Sequence, residues 1–225
     1  MSIQSFNHQL GQLFPARDCA TLARLIRSDA EKVFPEEEAI ICDAAEGRKA
    51  EFRSGRKCAH LALKKLNVKP CPIMANPSRS LIWPIGSLGC ISHTKNLAAA
   101  AVSMSSVMMG IGLDIEHTNR LHSRVWRFVL TNREQEWVAQ CCSTTQRDWA
   151  TMIFSAKECF YKFQYPITQT WFGFLDVEVD IDRASCTFSV AITNSKRLVT
   201  PIPSILNCNF LFTSQYVLTG IYALI

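Results

Sequence analysis

Asp114 and Glu116 lie two residues apart in the run Gly112-Leu113-Asp114-Ile115-Glu116. In an extended strand that spacing turns both carboxylates to one face, while Leu113 and Ile115 enter the other layer. Paired carboxylates in an apolar strand repel one another unless a cation or a base shares the site. Oxygen ligands of this kind suit magnesium. An edge strand with solvent-facing acids explains the spacing equally well, so a third ligand is needed to separate the two readings. Glu158 offers one, in Phe154-Ser155-Ala156-Lys157-Glu158-Cys159-Phe160-Tyr161-Lys162. On a helix Glu158 and Lys162 are four apart and Ser155 falls near the same side, so one face presents an acid, a cation and a hydroxyl. The plain alternative is a stabilising pair worth about 0.2–0.5 kcal/mol. Phe154, Phe160 and Phe163 would anchor such a helix firmly enough to hold a polar group in place.

His93 follows Ser92 at the end of an apolar run. Adjacent residues of an extended chain point to opposite faces, which disfavours a Ser–His hydrolytic pair; a histidine binding phosphate at a strand end fits better, beside the alternative of a packed or solvated ring. Arg48, Lys49, Arg53, Arg56, Lys57 and His60 make a cationic surface. Arg48 and Arg56, eight apart on a helix, fall within about 80 degrees of each other and could reach one polyanion. A solvated basic helix is the competing reading.

These residues need elements to carry them. The clearest helix covers 45–66, with Phe52, Ala59, Leu63 and Leu66 near one stripe. A second covers 147–163 and is expected to close at Pro166. A weaker helical pattern runs from Cys19 to Val33 through Leu22, Leu25 and Ile26, and residues 117–146 read as a connection followed by a helix. The stretch from Pro70 to Pro84 reads as mostly loop. Short apolar runs at 88–92, 97–103 and 109–116 suit strands, although Leu97-Ala98-Ala99-Ala100-Ala101-Val102-Ser103 would be a helix by propensity alone. Further strands are expected at Phe174 to Val179, Cys186 to Ile192, Cys208 to Phe212 and Tyr216 to Ala223, with Asp182 and Pro201 to Pro203 as breakers. The expected fold is α+β, two similar α/β halves (1–108 and 109–225) with antiparallel-rich sheets, each half giving a helix and then strands.

Composition narrows the class. The 225 residues are 48% apolar, with 24 Lys+Arg against 19 Asp+Glu, which excludes a disordered, collagen-like or coiled-coil chain. The charge of +5 favours acidic partners without the basic density of a nucleic-acid binder, and aromatics do not alternate with the charges as base stacking requires. The ten cysteines include no C-x-x-C pair, so a structural zinc site has no spacing in its favour. Without a basic-then-apolar leader or a run of roughly 18 apolar residues, a soluble, reducing, cytoplasmic setting with no stable membrane insertion is expected.

Taken in order, four segments resemble the 4′-phosphopantetheinyl transferase superfamily, especially the type that serves siderophore and nonribosomal peptide synthesis. They are Arg48-Lys49-Ala50-Glu51-Phe52-Arg53-Ser54-Gly55-Arg56, Trp83-Pro84 through Ile91-Ser92-His93, Gly112-Leu113-Asp114-Ile115-Glu116, and Phe154-Ser155-Ala156-Lys157-Glu158 with Lys162. The resemblance implies a pseudo-two-fold pair of halves with coenzyme A in the cleft between them, and Mg2+ held by Asp114, Glu116 and Glu158 against its diphosphate. It implies that Arg48, Arg56, Ser92 and His93 attend the nucleotide phosphates, that Lys157 and Lys162 attend the diphosphate and phosphopantetheine end, and that Arg79 is a further phosphate ligand. Arg79 departs from the family's usual Arg-Glu-Pro, and Ser92-His93-Thr94 from its usual Ser-His-Cys. The reaction implied is transfer of 4′-phosphopantetheine to a serine of an apo acyl, peptidyl or aryl carrier protein, with Glu158 or Lys162 taking the serine proton. A monomer would suffice, and the segment around Arg120, Arg124, Arg127 and Phe128 could dock the carrier. Alanine at Asp114 or Glu158 is expected to abolish transfer with little loss of folding. A cationic nucleotide- or acidic-protein-binding module without turnover, or a magnesium-dependent phosphohydrolase, would use the same residue types.

Overall fold

The computed structural model describes residues 2–142, 147–193 and 200–225. Helix α1 (Ile3–Gly11), capped by the Ser2 hydroxyl on the Ser5 N–H, leads into strand β1 (Cys19–Leu25). Helix α2 (Pro35–Ile40) starts with proline at a position where no N–H is needed. Helix α3 (Glu46–Lys65) follows, then the two-residue strands β2 (Met74–Ala75) and β3 (Leu81–Ile82) and the full strands β4 (Ser87–His93), β5 (Leu97–Met104) and β6 (Met108–His117). Helices α4 (Trp126–Val129), α5 (Asn132–Cys142) and α6 (Trp149–Thr168) precede β7 (Val177–Asp182), β8 (Thr187–Ile192), β9 (Asn207–Phe212) and β10 (Tyr216–Leu224). Residues 143–146, part of the expected connection and helix at 117–146, lie outside the described residues.

The architecture is α+β with antiparallel sheets, as expected: one sheet in the order β1-β5-β4, the other β6-β10-β9-β8-β7. Each is covered by a 20-residue helix, α3 on the first and α6 on the second. The alanine-rich β5 is a strand because β1 and β4 flank it and both its faces are buried. Ala98, Ala100 and Val102 pack with α3, while Leu97, Ala99 and Ala101 join the core shared with α1, β6 and β10. A fully covered strand has no polar face to alternate with.

The helical reading of Cys19 to Val33 is incorrect throughout: residues 19–25 form β1, and residues 26–33 are turn and irregular chain. Residues 19–25 pair antiparallel with β5, and Asn7 of α1 bonds both the N–H and the C=O of Ala23 (2.7 and 3.0 Å). Strand pairing and an edge cover thus outweigh a weak local period. The strand expected from Phe174 begins instead as a 3-10 turn, Phe174–Asp176, before β7. Pro166 does not close α6. It sits in the last turn, and the chain leaves through Gln169 in the left-handed region (φ 52°).

The two sheets meet along their edges. Strands β4 and β6 run beside each other, bridged by side chains: the Leu113 N–H donates to Cys90 Sγ (3.2 Å) and the Ile115 N–H to Ser92 Oγ (3.3 Å). Gly112 sets how closely α6 lies on this seam. A Cβ there would stand 2.4 Å from the Cys159 carbonyl oxygen and 2.9 Å from Phe163 Cβ.

Candidate active site

The seam places Asp114 under α6, almost fully buried. Its Oδ1 accepts from Lys162 Nζ at 2.6 Å and from Ser92 Oγ at 3.0 Å, and its Oδ2 accepts from Ser155 Oγ at 2.8 Å. Lys162 Nζ also donates to Ser92 Oγ at 3.1 Å, and the Ser155 and Thr219 hydroxyls lie 2.9 Å apart. Burial acts to lower the Lys162 pKa, but the Asp114 carboxylate outweighs it and holds the ammonium above the usual lysine range.

Glu116 and Glu158 flank this pair. Burial first, then the charge of Asp114, pushes the Glu116 carboxyl up to about 7, with Glu158 adding to the rise and Arg120 and Lys162 opposing it. Burial also raises Glu158, with Lys162 lowering it and Asp114 raising it further. The three acids therefore share one electrostatic neighbourhood. Among the described residues, however, no group of three His, Cys, Asp or Glu side chains stands ready around one ion, and the Asp114 oxygens are already taken by Lys162, Ser92 and Ser155.

Beside the acids a cleft of about 710 Å³ opens, lined by Arg48, Arg56, Arg79, His93 and Lys162 together with Trp83 and Tyr165. The expected cations thus gather from α3, the β2–β3 turn, β4 and α6. Arg48 Nη1 lies 2.9 Å from His93 Nε2. Because a guanidinium can only donate, Nε2 must accept, which leaves the ring neutral with its proton on Nδ1. Burial lowers the His93 pKa, Glu51 raises it, and Arg48 and Lys162 lower it further. Arg79 is held in the left-handed region (φ 66°) by a turn in which Asn76 Oδ1 accepts from the Ser80 N–H (2.9 Å).

Two expected ligands are not brought to the cleft. The Ser92 hydroxyl is buried and committed to Asp114 and Lys162, because alternation along β4 sends it to the face opposite His93. Lys157 points away on α6. Its ammonium donates to Glu134 Oε2 (2.6 Å), Val129 O and Phe174 O (both 2.8 Å), leaving no donor for a diphosphate. Burial lowers its pKa against the pull of Glu134. With side chains 1% and 2% exposed, removing one partner would cost about 3–5 kcal/mol. Sequence reasoning did not single out Thr219 and Cys90 as site neighbours, and it quoted Trp83 only as part of a resembling segment. The Trp83 ring occupies the space a Cβ at Gly89 would need, 2.7 Å from its nearest ring atom.

Comparison with known proteins gives the family. Residues 36–103 match the family model described as the 4′-phosphopantetheinyl transferase N-terminal domain, and residues 110–199 match that of the 4′-phosphopantetheinyl transferase superfamily. The chain is 31% identical over 172 residues to 4′-phosphopantetheinyl transferase Svp of Streptomyces mobaraensis, covering 76% of this chain and 68% of that one. It is 33% identical over 151 residues to 4′-phosphopantetheinyl transferase Npt of Nocardia iowensis, covering 67% of each. Enterobactin synthase component D of Salmonella typhi is 32% identical over 120 residues, 53% of this chain and 49% of that protein. The chain belongs to the 4′-phosphopantetheinyl transferase superfamily. Among the described residues, no helix is long and apolar enough to cross a membrane.

Proposed function

We propose that the chain carries out its family's reaction at the seam between β4 and β6: it transfers 4′-phosphopantetheine from coenzyme A to a serine of an apo carrier protein. The observation that carries this reading is Lys162, which lines the cationic cleft and is fixed by Asp114 in the acidic cluster, so that one side chain joins the two. In this reading Arg48, Arg56, Arg79 and His93 hold the nucleotide phosphates and Lys162 offsets the diphosphate charge. Ser92 supports Lys162 and Asp114 from within the protein. The carrier serine oxygen attacks the phosphorus bearing pantetheine, the bond to the bridging oxygen breaks, and adenosine 3′,5′-bisphosphate leaves. Glu158 Oε receives the serine proton, since its raised pKa suits a base while Asp114 keeps Lys162 charged.

Asp114, Glu116 and Glu158 would hold Mg2+. All three carry carboxylate oxygens, the ligand type a hard divalent cation takes; burial first, and then the charge of Asp114, raises Glu116 and Glu158, and Asp114 would give up part of its bonding to Lys162 and the serine hydroxyls to reach the ion. When bound, such an ion supplies charge neutralisation at the transferring phosphoryl group. We place the division of labour at 1–108 for nucleotide phosphates and 109–225 for acids and catalytic helix. We further propose a monomeric, cytoplasmic enzyme serving siderophore or nonribosomal peptide carriers, which dock near Arg120, Arg124, Arg127 and the exposed Phe128. Incubation with apo carrier, coenzyme A and Mg2+ should add about 340 Da to one serine by mass spectrometry. Coenzyme A bound without that gain would favour the binding module, and coenzyme A consumed without a carrier would favour the phosphohydrolase.

The neutral His93 ring gives this reading a pH signature. A phosphate beside it raises its pKa in the complex above the depressed value of the free protein, so binding takes up a proton. Coenzyme A affinity should therefore rise as the pH is lowered from about 8 to about 6.5, and calorimetry on His93→Ala should show that rise lost. An unchanged pH profile in the variant would remove His93 from the phosphate site.

A further inference from the structure

Arg56 is a cleft-lining guanidinium with only 7% of its side chain exposed. Among the described residues it makes no hydrogen bond, and its Nε is sealed from solvent without an acceptor in bonding geometry. The Nη donors likewise have no acceptor among the described residues and, unlike Nε, are not sealed, so an acceptor arriving in the cleft can reach them. What keeps the guanidinium there is visible on two sides. The Phe52 ring lies 4.5 Å beneath the guanidinium carbon, and Glu37 Oε1 stands 3.4 Å from Nε.

Glu37 is itself fully buried, an unusual place for a carboxylate on a six-residue helix. It accepts from His60 Nε2 through both oxygens (3.0 Å each), from the Ile73 N–H (2.9 Å) and from the Phe34 N–H (3.2 Å). These bonds fix the carboxylate rigidly between α2, α3 and the chain entering β2. Its charge faces Arg56, one α-helical turn from His60 on the same helix.

We propose that Glu37 is a positioning residue for coenzyme A: it touches no substrate, and it holds the Arg56 guanidinium neutralised and aimed at the cleft until a coenzyme phosphate takes over as its acceptor. This rests on the cleft being the coenzyme site, as set out above. The acid acts in one direction only, through Arg56. Its loss should weaken coenzyme binding while sparing the acids and Lys162 across the cleft.

Steady-state kinetics with calorimetry on the full chain tests this. Glu37→Gln keeps the acceptor for Ile73 and removes the charge; its KM for coenzyme A should rise about tenfold with kcat within about twofold. Arg56→Lys should raise KM comparably, and Glu37→Gln combined with Arg56→Lys should be no worse than Arg56→Lys alone, a non-additivity that general loosening would not produce. His60→Ala, which loosens Glu37 but leaves its charge beside Arg56, should lower Tm and raise KM by less than Glu37→Gln does. If Glu37→Gln fails to fold, Glu37→Asp draws the carboxylate back from Arg56; KM should then rise, and that rise should vanish in the Arg56→Lys background. Additive losses, or a fall in Tm with KM unchanged, would overturn the role of Glu37. Failure of the wild-type protein to bind coenzyme A would instead overturn the functional reading beneath it.

Discussion

Asp114→Asn should lower the rate of carrier modification by about 100- to 1,000-fold while coenzyme A still binds. The amide keeps the shape of the side chain and an acceptor for the Ser155 hydroxyl, but it no longer counters the Lys162 ammonium 2.6 Å away. Lys162 then loses the partner that fixes it between the cleft and the acids. Folding also suffers. Removing one member of a buried ion pair costs about 3–5 kcal/mol, and the 26% exposure left to Lys162 argues for the lower end of that range. Alanine at this position would strand Ser92 and Ser155 as well. The expectation that Asp114 could be removed with little loss of folding therefore does not fit its burial, whereas the partly buried Glu158, which makes no hydrogen bond among the described residues, should lose activity as glutamine without unfolding. Initial rates by mass spectrometry beside thermal melts decide the matter: wild-type turnover in Asp114→Asn would dissolve the proposed centre.

Gly112→Ala should be nearly as damaging, with no charge changed. The new methyl would meet the Cys159 carbonyl oxygen at 2.4 Å and Phe163 Cβ at 2.9 Å, and neither is the free end of a flexible side chain. Phe163 is itself fully buried, so α6 must move off β6. Overpacking of this kind costs about 1–3 kcal/mol or somewhat more. A shift near 1 Å between α6 and β6 separates Glu158 and Lys162 from Asp114, and misplacement on that scale costs about 100-fold in rate. Gly47→Ala is the control, because nothing lies within 4 Å of its Cβ; at this helical position it should be neutral or stabilising by up to about 1 kcal/mol. Equal activity in Gly112→Ala and wild type would mean that the α6–β6 spacing does not set the geometry of the site.

The sequence discloses what depends on local spacing. Helix α3, the strands around Asp114 and Glu116, and the helical stagger of Ser155, Glu158 and Lys162 are all legible, because period and side-chain type coincide there. What depends on tertiary partners is hidden. Residues 19–25 become a strand because β5 and Asn7 bond them, and no local signal encodes either contact. Lys157 looks equivalent to Lys162 in the chain, but Glu134 and two carbonyl groups from other elements claim it. Ser92 is adjacent to His93 yet bonds a carboxylate 22 residues away, and Glu37 stands in a run of three glutamates, with nothing in its spacing to show that it alone lies buried against Arg56. Spacing reveals which residues share a face, and only packing reveals which of them face a partner.

Binding of Mn2+, measured by electron paramagnetic resonance in the presence of saturating coenzyme A, tests most directly whether the acids at the β6–α6 junction form one ion site. The wild-type chain should take up one equivalent of the ion, and Glu116→Gln combined with Glu158→Gln should weaken that binding by roughly tenfold or more while the apo fold stays intact. The same stoichiometry and affinity in both proteins would place the ion elsewhere and contradict the assignment.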